Sequence, residues 1–405
     1  MEILPILSAL RRNRVGAFLI AIQIALTLAI VCNSLSIIRD RLSSMNQPTG
    51  LDEDNIITLT NTFVGNPPNV DALLRDDLQR MRSMPGVIDA AVSNSFPLRG
   101  GGWSNGVELQ PGQAKSTARS ALYFGDEHLM NAWGFRLIAG RWFSADEVLM
   151  FHRNDTTTPE VGVVTRKLAN ELFPAGDALG KSVYLTDASS TRIIGIVDQV
   201  GSPWGGRTFG TEFRDNGTFL PLQFAYEGGY YIIRTKPGQQ ARVLKSIEQT
   251  LLDGNRKRVI EDVRPFRETR ARAYRDYRAL SLILGTVCGL LLTVTAFGIV
   301  GLTTYWVAQR RRQIGVRRAL GARRVDILRY FQTENLLIAG AGGVVGIILA
   351  LVGNLWLVTN LQMARMGIGY VVAGALIVLG LSQAAAIFPA MRAAALPPAM
   401  ATRNV

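Results

Sequence analysis

Gly102-Trp103-Ser104-Asn105-Gly106 fits the G-x-S-x-G pattern, in which a strained strand-to-helix turn exposes a nucleophilic serine. That chemistry needs a strand before the serine, a helix after it and a base beside it. Here Pro97 and three glycines precede the run, and Val107-Glu108-Leu109 then Pro111-Gly112 follow, so it reads as a loop entering a hairpin. Only His128 and His152 could serve as base. Gly176-Asp177-Ala178-Leu179-Gly180-Lys181-Ser182 resembles a phosphate loop but is one residue short of G-x-x-x-x-G-K-[ST], and the nest of amides around a phosphate depends on that length. No other Walker-type run occurs. Two histidines, no H-E-x-x-H and no cysteine between Arg39 and Arg278 leave no sensible zinc spacing. The expectation is a chain with no catalytic residues, no metal site and no bound cofactor.

The elements that would position any site are dominated by the membrane. Of 405 residues, four windows hold no Asp, Glu, Lys or Arg: Val15–Ile38, Ala279–Gln309, Asn335–Ala364 and Met366–Met391. Each reaches the roughly 20 residues a helix needs to cross a bilayer, and none alternates with period two like a barrel strand. A cleaved signal peptide would be shorter than the first window and would end in a small-x-small site, which is missing before Arg39. The first window is therefore read as an anchor.

The net charge of +13 suggests nucleic acid until the charges are located. Acids and bases nearly balance between Arg39 and Arg278. The excess flanks the membrane windows: Arg11, Arg12 and Arg14 before the first, eight arginines from Arg310 to Arg329 between the second and third, and Arg392 and Arg403 after the fourth. Only Glu2, Asp326 and Glu334 oppose them. Arginine stays on the cytoplasmic side, so both termini and the Arg310–Arg329 loop are expected inside, and residues 39–278 outside. The basic balance reports topology, and no nucleic-acid partner is expected. Cys32 and Cys288 read as small packing residues of the first two helices.

Within the insert, Ile56–Thr60, Val70–Met84 and Val87–Ser93 read as strand, amphipathic helix and strand. Tyr230–Thr235, Gly238–Leu252 and Val259–Val263 repeat that order. The expected fold is an α-helical membrane protein with four transmembrane helices plus an α+β periplasmic domain of two subdomains on a helical stalk. The α/β subdomain takes about 51–105 and 228–265, and a β-rich subdomain about 106–227. Ile37–Asn46 and Glu268–Ala279 form the stalk. The membrane segments are placed at 15–38, 279–309, 334–358 and 368–391. A cytoplasmic loop at 310–333, a periplasmic turn at 359–367, and cytoplasmic ends at 1–14 and 392–405 complete the plan. Trp103, Trp204 and Phe209 are aromatics in glycine-rich outer loops, a place where cargo or an adaptor could touch but where single exposed aromatics are also ordinary.

The cytoplasmic loop runs Arg310-Arg-Arg-Gln-Ile-Gly-Val-Arg-Arg-Ala-Leu-Gly-Ala322, and helical spacing puts Ile314, Arg317 or Arg318, and Gly321 along one side of a short helix. Such a helix suits lipid headgroups or a grooved, acidic protein partner equally. This run, followed by Asp326-Ile327 and by Glu334 before the glycine-rich Gly340–Gly346 stretch, resembles the FtsX-like permease family of ABC transporters. So does the end of the fourth window, Phe388-Pro389-Ala390-Met391-Arg392-Ala393-Ala394 with Pro397-Pro398-Ala399-Met400. Gly134-Phe135-Arg136-Leu137-Ile138-Ala139-Gly140-Arg141-Trp142-Phe143 resembles a segment of MacB-type periplasmic core domains, with Leu172-Phe173, Gly180-Lys181 and Ile194–Val197 following in order.

The resemblance implies a permease subunit, short of the fused ATPase that the macrolide-exporter relatives carry, working with a separate cytoplasmic ABC ATPase that binds ATP and Mg. It implies that Ile314, Gly315, Arg317, Arg318, Ala319, Leu320, Gly321, Ala322 and Asp326 form the ATPase-coupling element together with Glu334, which either stabilises the start of helix three or marks the membrane edge. Gly342, Gly346 and Ala350 would let two helices approach closely, helices two and three being expected to pack together. A second permease, a membrane-lipid environment, and a possible periplasmic adaptor with an outer-membrane channel are the other implied partners. The windows hold no buried charge to mark a polar route, which favours mechanotransmission to the outer domain, driving export of a peptide, antibiotic or lipid-linked cargo. Regulation of a cell-wall hydrolase, peptide sensing and lipoprotein release are the alternative roles.

Overall fold

The computed structural model describes residues 14–395 apart from 66, 68, 153, 154, 156, 186–188, 206–212, 225–227, 362 and 364. Glu2, Arg11, Arg12, Phe209, Ala364, Pro397–Met400 and Arg403 lie outside the described residues. The chain divides into a helical unit, up to Ser43 and from Tyr277 onward, and an inserted unit, Ser44–Asp276.

Four helices among the described residues are long and apolar enough to cross a membrane: α1 (Arg14–Met45) and, numbered in chain order, α7 (Arg275–Gln309), α9 (Arg324–Leu361) and α10 (Ile368–Ala394). The shortest has 27 residues. At about 1.5 Å per residue this is about 40 Å, more than the roughly 30 Å of a hydrocarbon core. Along α1, Ile20, Ile24, Leu28 and Cys32 recur every fourth residue and are buried, while Phe18, Leu19, Ile22, Leu26 and Ile30 stay exposed. An apolar residue exposed on such a helix is satisfied by lipid, so the pattern is that of a membrane bundle.

In the inserted unit, β1 (Ile56–Phe63), α2 (Val70–Ser83), β2 (Val87–Ser93), β12 (Gly228–Thr235), α5 (Gln240–Gly254) and β13 (Arg258–Pro265) form the first half. Its sheet has the order β13-β1-β12-β2, all neighbours antiparallel. Leu74, Leu78 and Met81 of α2 and Val243, Ile247 and Leu251 of α5 recur at helical spacing and close one face of the sheet. Asp77 lies on that buried face, 2.6 Å from Arg258, and Tyr231 Oη donates to the same carboxylate at 2.7 Å. A charge this deep needs such partners. Burial and the adjacent carboxylate push the Tyr231 phenol well above its ordinary value.

Between these elements lie β3 (Trp103–Val107), β4 (Ala118–Phe124), α3 (Leu129–Trp133), β5 (Leu137–Gly140), β6 (Leu149–Phe151), β7 (Val161–Thr165) and α4 (Arg166–Leu172). They are followed by β8 (Ser182–Tyr184), β9 (Ser190–Val197), β10 (Gly217–Leu220) and β11 (Leu222–Phe224). A seven-stranded sheet runs β3-β4-β10-β7-β9-β5 with β8 on β9, and β11 pairs β6 separately. The Gly102–Gly106 run, expected as a loop entering a hairpin, contributes Trp103 to Gly106 to β3, an edge strand of this sheet. Its residues pair antiparallel with Ala118–Leu122, which moves the border of the first half to before Trp103.

Two boundaries differ from the sequence expectation. The third membrane helix starts at Arg324, about ten residues before the charge-free window, because Ile327 and Phe331 give its first turns a buried side while Arg324, Asp326 and Arg329 stay exposed. The segment entering the second membrane helix is two helices, α6 (Phe266–Ala273) and α7, with Tyr274 between them at φ −104° and ψ 12°.

Candidate functional site

The connection from α7 to α9 is a built structure. Arg310 leaves helical geometry at φ −101° and ψ 12°, α8 (Arg311–Ala319) follows, and Gly321 turns the chain at φ +100°. Ala322 N–H donates to Arg317 O at 3.0 Å and Gly321 N–H to Arg318 O at 3.2 Å, the bond pattern that ends a helix on a left-handed glycine. Nothing lies within 4 Å of a Cβ placed on Gly321, so the backbone angle, and no close neighbour, requires glycine there. Asp326 in the first turn of α9 accepts the Arg323 N–H at 2.9 Å and faces the positive end of the helix dipole.

Ile314 and Gly315 are buried, Ile314 among Val307, Ile327, Phe331, Ala390 and Ala393. They anchor α8 to the helical unit, so of the side expected to carry Ile314, Arg317 or Arg318, and Gly321, Ile314 is buried, Arg318 half-buried, and Arg317 and Gly321 exposed. Arg317, Ala319, Leu320 and Gly321 are exposed, and Arg318 and Ala322 half-buried. Leu320 is 82% exposed, a leucine held out of a run of arginines.

Glu334 is not at a helix start. It sits in the third turn of α9, 2% exposed, and accepts from Arg310 Nη1 at 2.8 and 3.0 Å. The same guanidinium is 3.4 Å from the Tyr330 hydroxyl, and Arg317 lies 5.2 Å from the centre of the Tyr330 ring. Arg310 and Tyr330 were not among the residues the sequence singled out. The available signal was helical spacing, since Tyr330 and Glu334 are four apart on one face of a helix that follows an arginine run.

Gly342 and Gly346 face α1. A Cβ on Gly342 would meet Ala21 O at 2.6 Å, and one on Gly346 would meet Ala25 O at 2.9 Å. Ala350 O accepts from Asn33 Nδ2 at 3.1 Å. The small-residue stripe therefore packs on helix one, whereas helix two had been expected. Helix two touches helix one elsewhere, through Thr27 and Thr295 hydroxyls 2.9 Å apart. The arrangement is a helical bundle with a short basic helix between α7 and α9 whose inner side is buried against the bundle.

The family models for the MacB-like periplasmic core domain and the FtsX-like permease C-terminal region match residues 17–250 and 285–398. The macrolide export ATP-binding/permease protein MacB of Chromobacterium violaceum is 28% identical over 220 residues, 54% of this chain and 32% of that protein. The pyoverdine export ATP-binding/permease protein PvdT of Pseudomonas aeruginosa is 28% identical over 233 residues, 55% of this chain and 34% of that protein. The periplasmic region of MacB from Actinobacillus actinomycetemcomitans, 17% identical, aligns with a TM-score of 0.32 over 54% of this chain and 94% of its own. The chain thus spans about a third of the length of the curated relatives it matches. Two family models in tandem, the first running from within α1 into α5 and the second from within α7 past α10, establish that this chain belongs to the FtsX-like permeases of ABC transporters and carries a MacB-like periplasmic core domain.

Proposed function

We propose that this chain is the permease of an ABC exporter and passes force from a cytoplasmic ATPase to its periplasmic domain. The observation that carries the reading is the knob between α7 and α9. Its outer surface is Arg317, Ala319, Leu320 and Gly321, flanked by Arg318 and Ala322, and its inner side is anchored by Ile314 and Gly315. An ATPase cleft that takes Leu320 and faces the arginines with carboxylates would hold this knob firmly, because an apolar anchor ringed by charge complementarity gives both affinity and register.

Asp326 and the Arg310–Glu334 pair would then make the knob move as one body with the ends of α7 and α9. ATP and Mg belong to the partner, and this chain supplies no catalytic group. The termini and the knob lie in the cytoplasm, in keeping with the arginine distribution. A second permease completes the dimer, an adaptor and outer-membrane channel receive the cargo, and a peptide, antibiotic or lipid-linked molecule is the cargo class.

The test is mass spectrometry of proteins that co-purify from gently solubilised native membranes, comparing wild type with Arg317→Glu/Arg318→Glu. An ATPase present in the first and lost in the second is the expected result. An ATPase absent from both overturns the reading.

A further inference from the structure

The sequence holds two histidines, His128 and His152, and both lie in the seven-stranded half of the inserted unit. Each reaches an aspartate of the other half. His128, just before α3, sets Nδ1 3.0 Å from a carboxylate oxygen of Asp89 on β2. His152, just after β6, sets Nε2 3.1 Å from a carboxylate oxygen of Asp71 in the first turn of α2. Asp89 lies 3.3 Å from Arg82 of the last turn of α2, so the two contacts fall at opposite ends of that helix.

In both cases the second ring nitrogen faces a carboxylate too. His128 Nε2 is 3.6 Å from Glu127, and His152 Nδ1 is 3.4 Å from Asp155. A neutral imidazole has one N–H and one lone pair, so it donates to one carboxylate and turns the lone pair on the other. An imidazolium donates at both nitrogens. The other charges around His128 do not remove the conflict. Arg82 donates to Asp126 at 2.8 Å and to the Ala90 carbonyl at 2.9 Å, and Arg75, which lines the space beside His128, is exposed. Asp89, Asp126 and Glu127 are the carboxylates there. Asp89 is held in place by Asn131 Nδ2 and the Ala90 N–H, each donating to it at 2.9 Å. Around His152 the described charged groups in contact are Asp71 and Asp155, while Arg153 lies outside the described residues.

We propose that His128 and His152 form a two-point latch, tightened by acid, between the two halves of the inserted unit. With the rings charged, each bridges a carboxylate of its own half to one of the other half. With the rings neutral, each gives up one of its two contacts. Histidine ordinarily changes charge between about pH 5 and 8. The latched form binds more protons than the parted one, so lowering the pH through that range favours it and raising the pH releases it. Any effect of the latch on export rests on the force-transmission reading; the latch itself needs no ATPase.

Amide hydrogen exchange read by mass spectrometry tests this on the full chain in phosphatidylcholine nanodiscs without any partner. The comparison is between about pH 5.5 and about pH 8, with rates corrected for intrinsic exchange at each pH. In wild type the amides of α2 and α3 should exchange about threefold more slowly at the acid pH, the scale of a part-exposed ion pair. His128→Gln should remove the difference in α3, His152→Gln should remove it in the first turns of α2, and the double variant should show none in either. Glu127→Gln, at a partly exposed position, should shrink the difference in α3, and it carries the test if thermal unfolding shows that His128→Gln is not folded. No pH difference in wild type, a difference that survives in the folded double variant, or one undiminished in Glu127→Gln overturns the latch. Such a failure leaves the ATPase co-purification result untouched, and loss of the ATPase partner leaves the exchange result untouched.

Discussion

Arg310, just past the end of α7, holds both carboxylate oxygens of Glu334 in α9 within 3.0 Å of one guanidinium nitrogen. The two residues are 24 apart in sequence and flank the basic knob, so the pair closes the connection into a loop of fixed size. Glu334 is almost fully buried and Arg310 is 13% exposed. Breaking such a pair from one side strands the other charge, which costs about 3–5 kcal/mol, whereas an apolar replacement of both is often neutral. Glu334→Ala is therefore expected to lower the unfolding midpoint of the solubilised chain sharply. Arg310→Met/Glu334→Met should recover much of that loss. A double variant as unstable as the single one would show that the pair is not the source of the effect.

The close approach of α9 to α1 gives a second prediction. The atoms that a Cβ on Gly342 or Gly346 would strike are backbone carbonyls of Ala21 and Ala25, which cannot swing aside as a side chain can. Gly342→Ala should force the helices apart and destabilise the bundle by about 1–3 kcal/mol. Gly340→Ala, where a Cβ meets nothing within 4 Å, should be neutral or stabilising by up to about 1 kcal/mol through helix propensity. Thermal unfolding in one detergent compares them, and equal loss in both variants would rule out the packing explanation.

The membrane helices and the two halves of the insert were legible because each rests on a signal summed over many residues. A window of twenty or more uncharged positions, or the spacing of Leu74, Leu78 and Met81, survives any single exception. What was not legible depends on a partner distant in sequence. Glu334 reads as a helix start only if the helix begins with the uncharged window, and its burial against Arg310 is a tertiary fact. The Gly342–Gly346 stripe announces a close neighbour without saying which helix it is. Trp103–Val107 looks like a loop because glycines precede it, and its strand conformation comes from pairing with Ala118–Leu122. Such pairing overrides local preference routinely.

Acid should act on the inserted unit through Glu147. Arg141 donates to its two carboxylate oxygens at 2.6 and 2.7 Å, and Ser144 adds two hydrogen bonds through its backbone N–H and hydroxyl. These contacts, the Arg141 guanidinium first, lower the Glu147 carboxyl from 4.5 to about 2. A carboxyl lowered in the folded state stabilises it fully above pH 4.5, and the contribution is lost as pH falls through about 2. Arg141 is 52% exposed, so water screens the pair and limits its worth to about 1 kcal/mol. Glu147→Gln should leave urea unfolding of the inserted unit less pH-dependent between those values. An identical slope in wild type and variant would assign the acid sensitivity elsewhere.

Arg270 tests the mechanical reading itself. From α6 it donates to Met45 O at 2.7 Å and Gln47 O at 2.6 Å, and it pairs with the Glu53 carboxylate. It thereby ties the end of α1 to the helix that leads toward α7, the two strands of chain by which the insert joins the membrane helices. Hydrogen bonds to a charged group carry about 1.5–3 kcal/mol each, so Arg270→Ala should let the two ends move independently while the sheets stay folded. If force reaches the periplasmic domain through this tie, ATP hydrolysis by the reconstituted complex should stay near wild type while cargo export falls about tenfold or more, the factor that corresponds to about 1.4 kcal/mol of lost coupling. Arg270→Lys, which keeps the charge but not the fork that spans three acceptors, should fall between the two. Export that persists unchanged in Arg270→Ala would mean that the stalk carries no force, and the periplasmic domain would then have to be a passive platform.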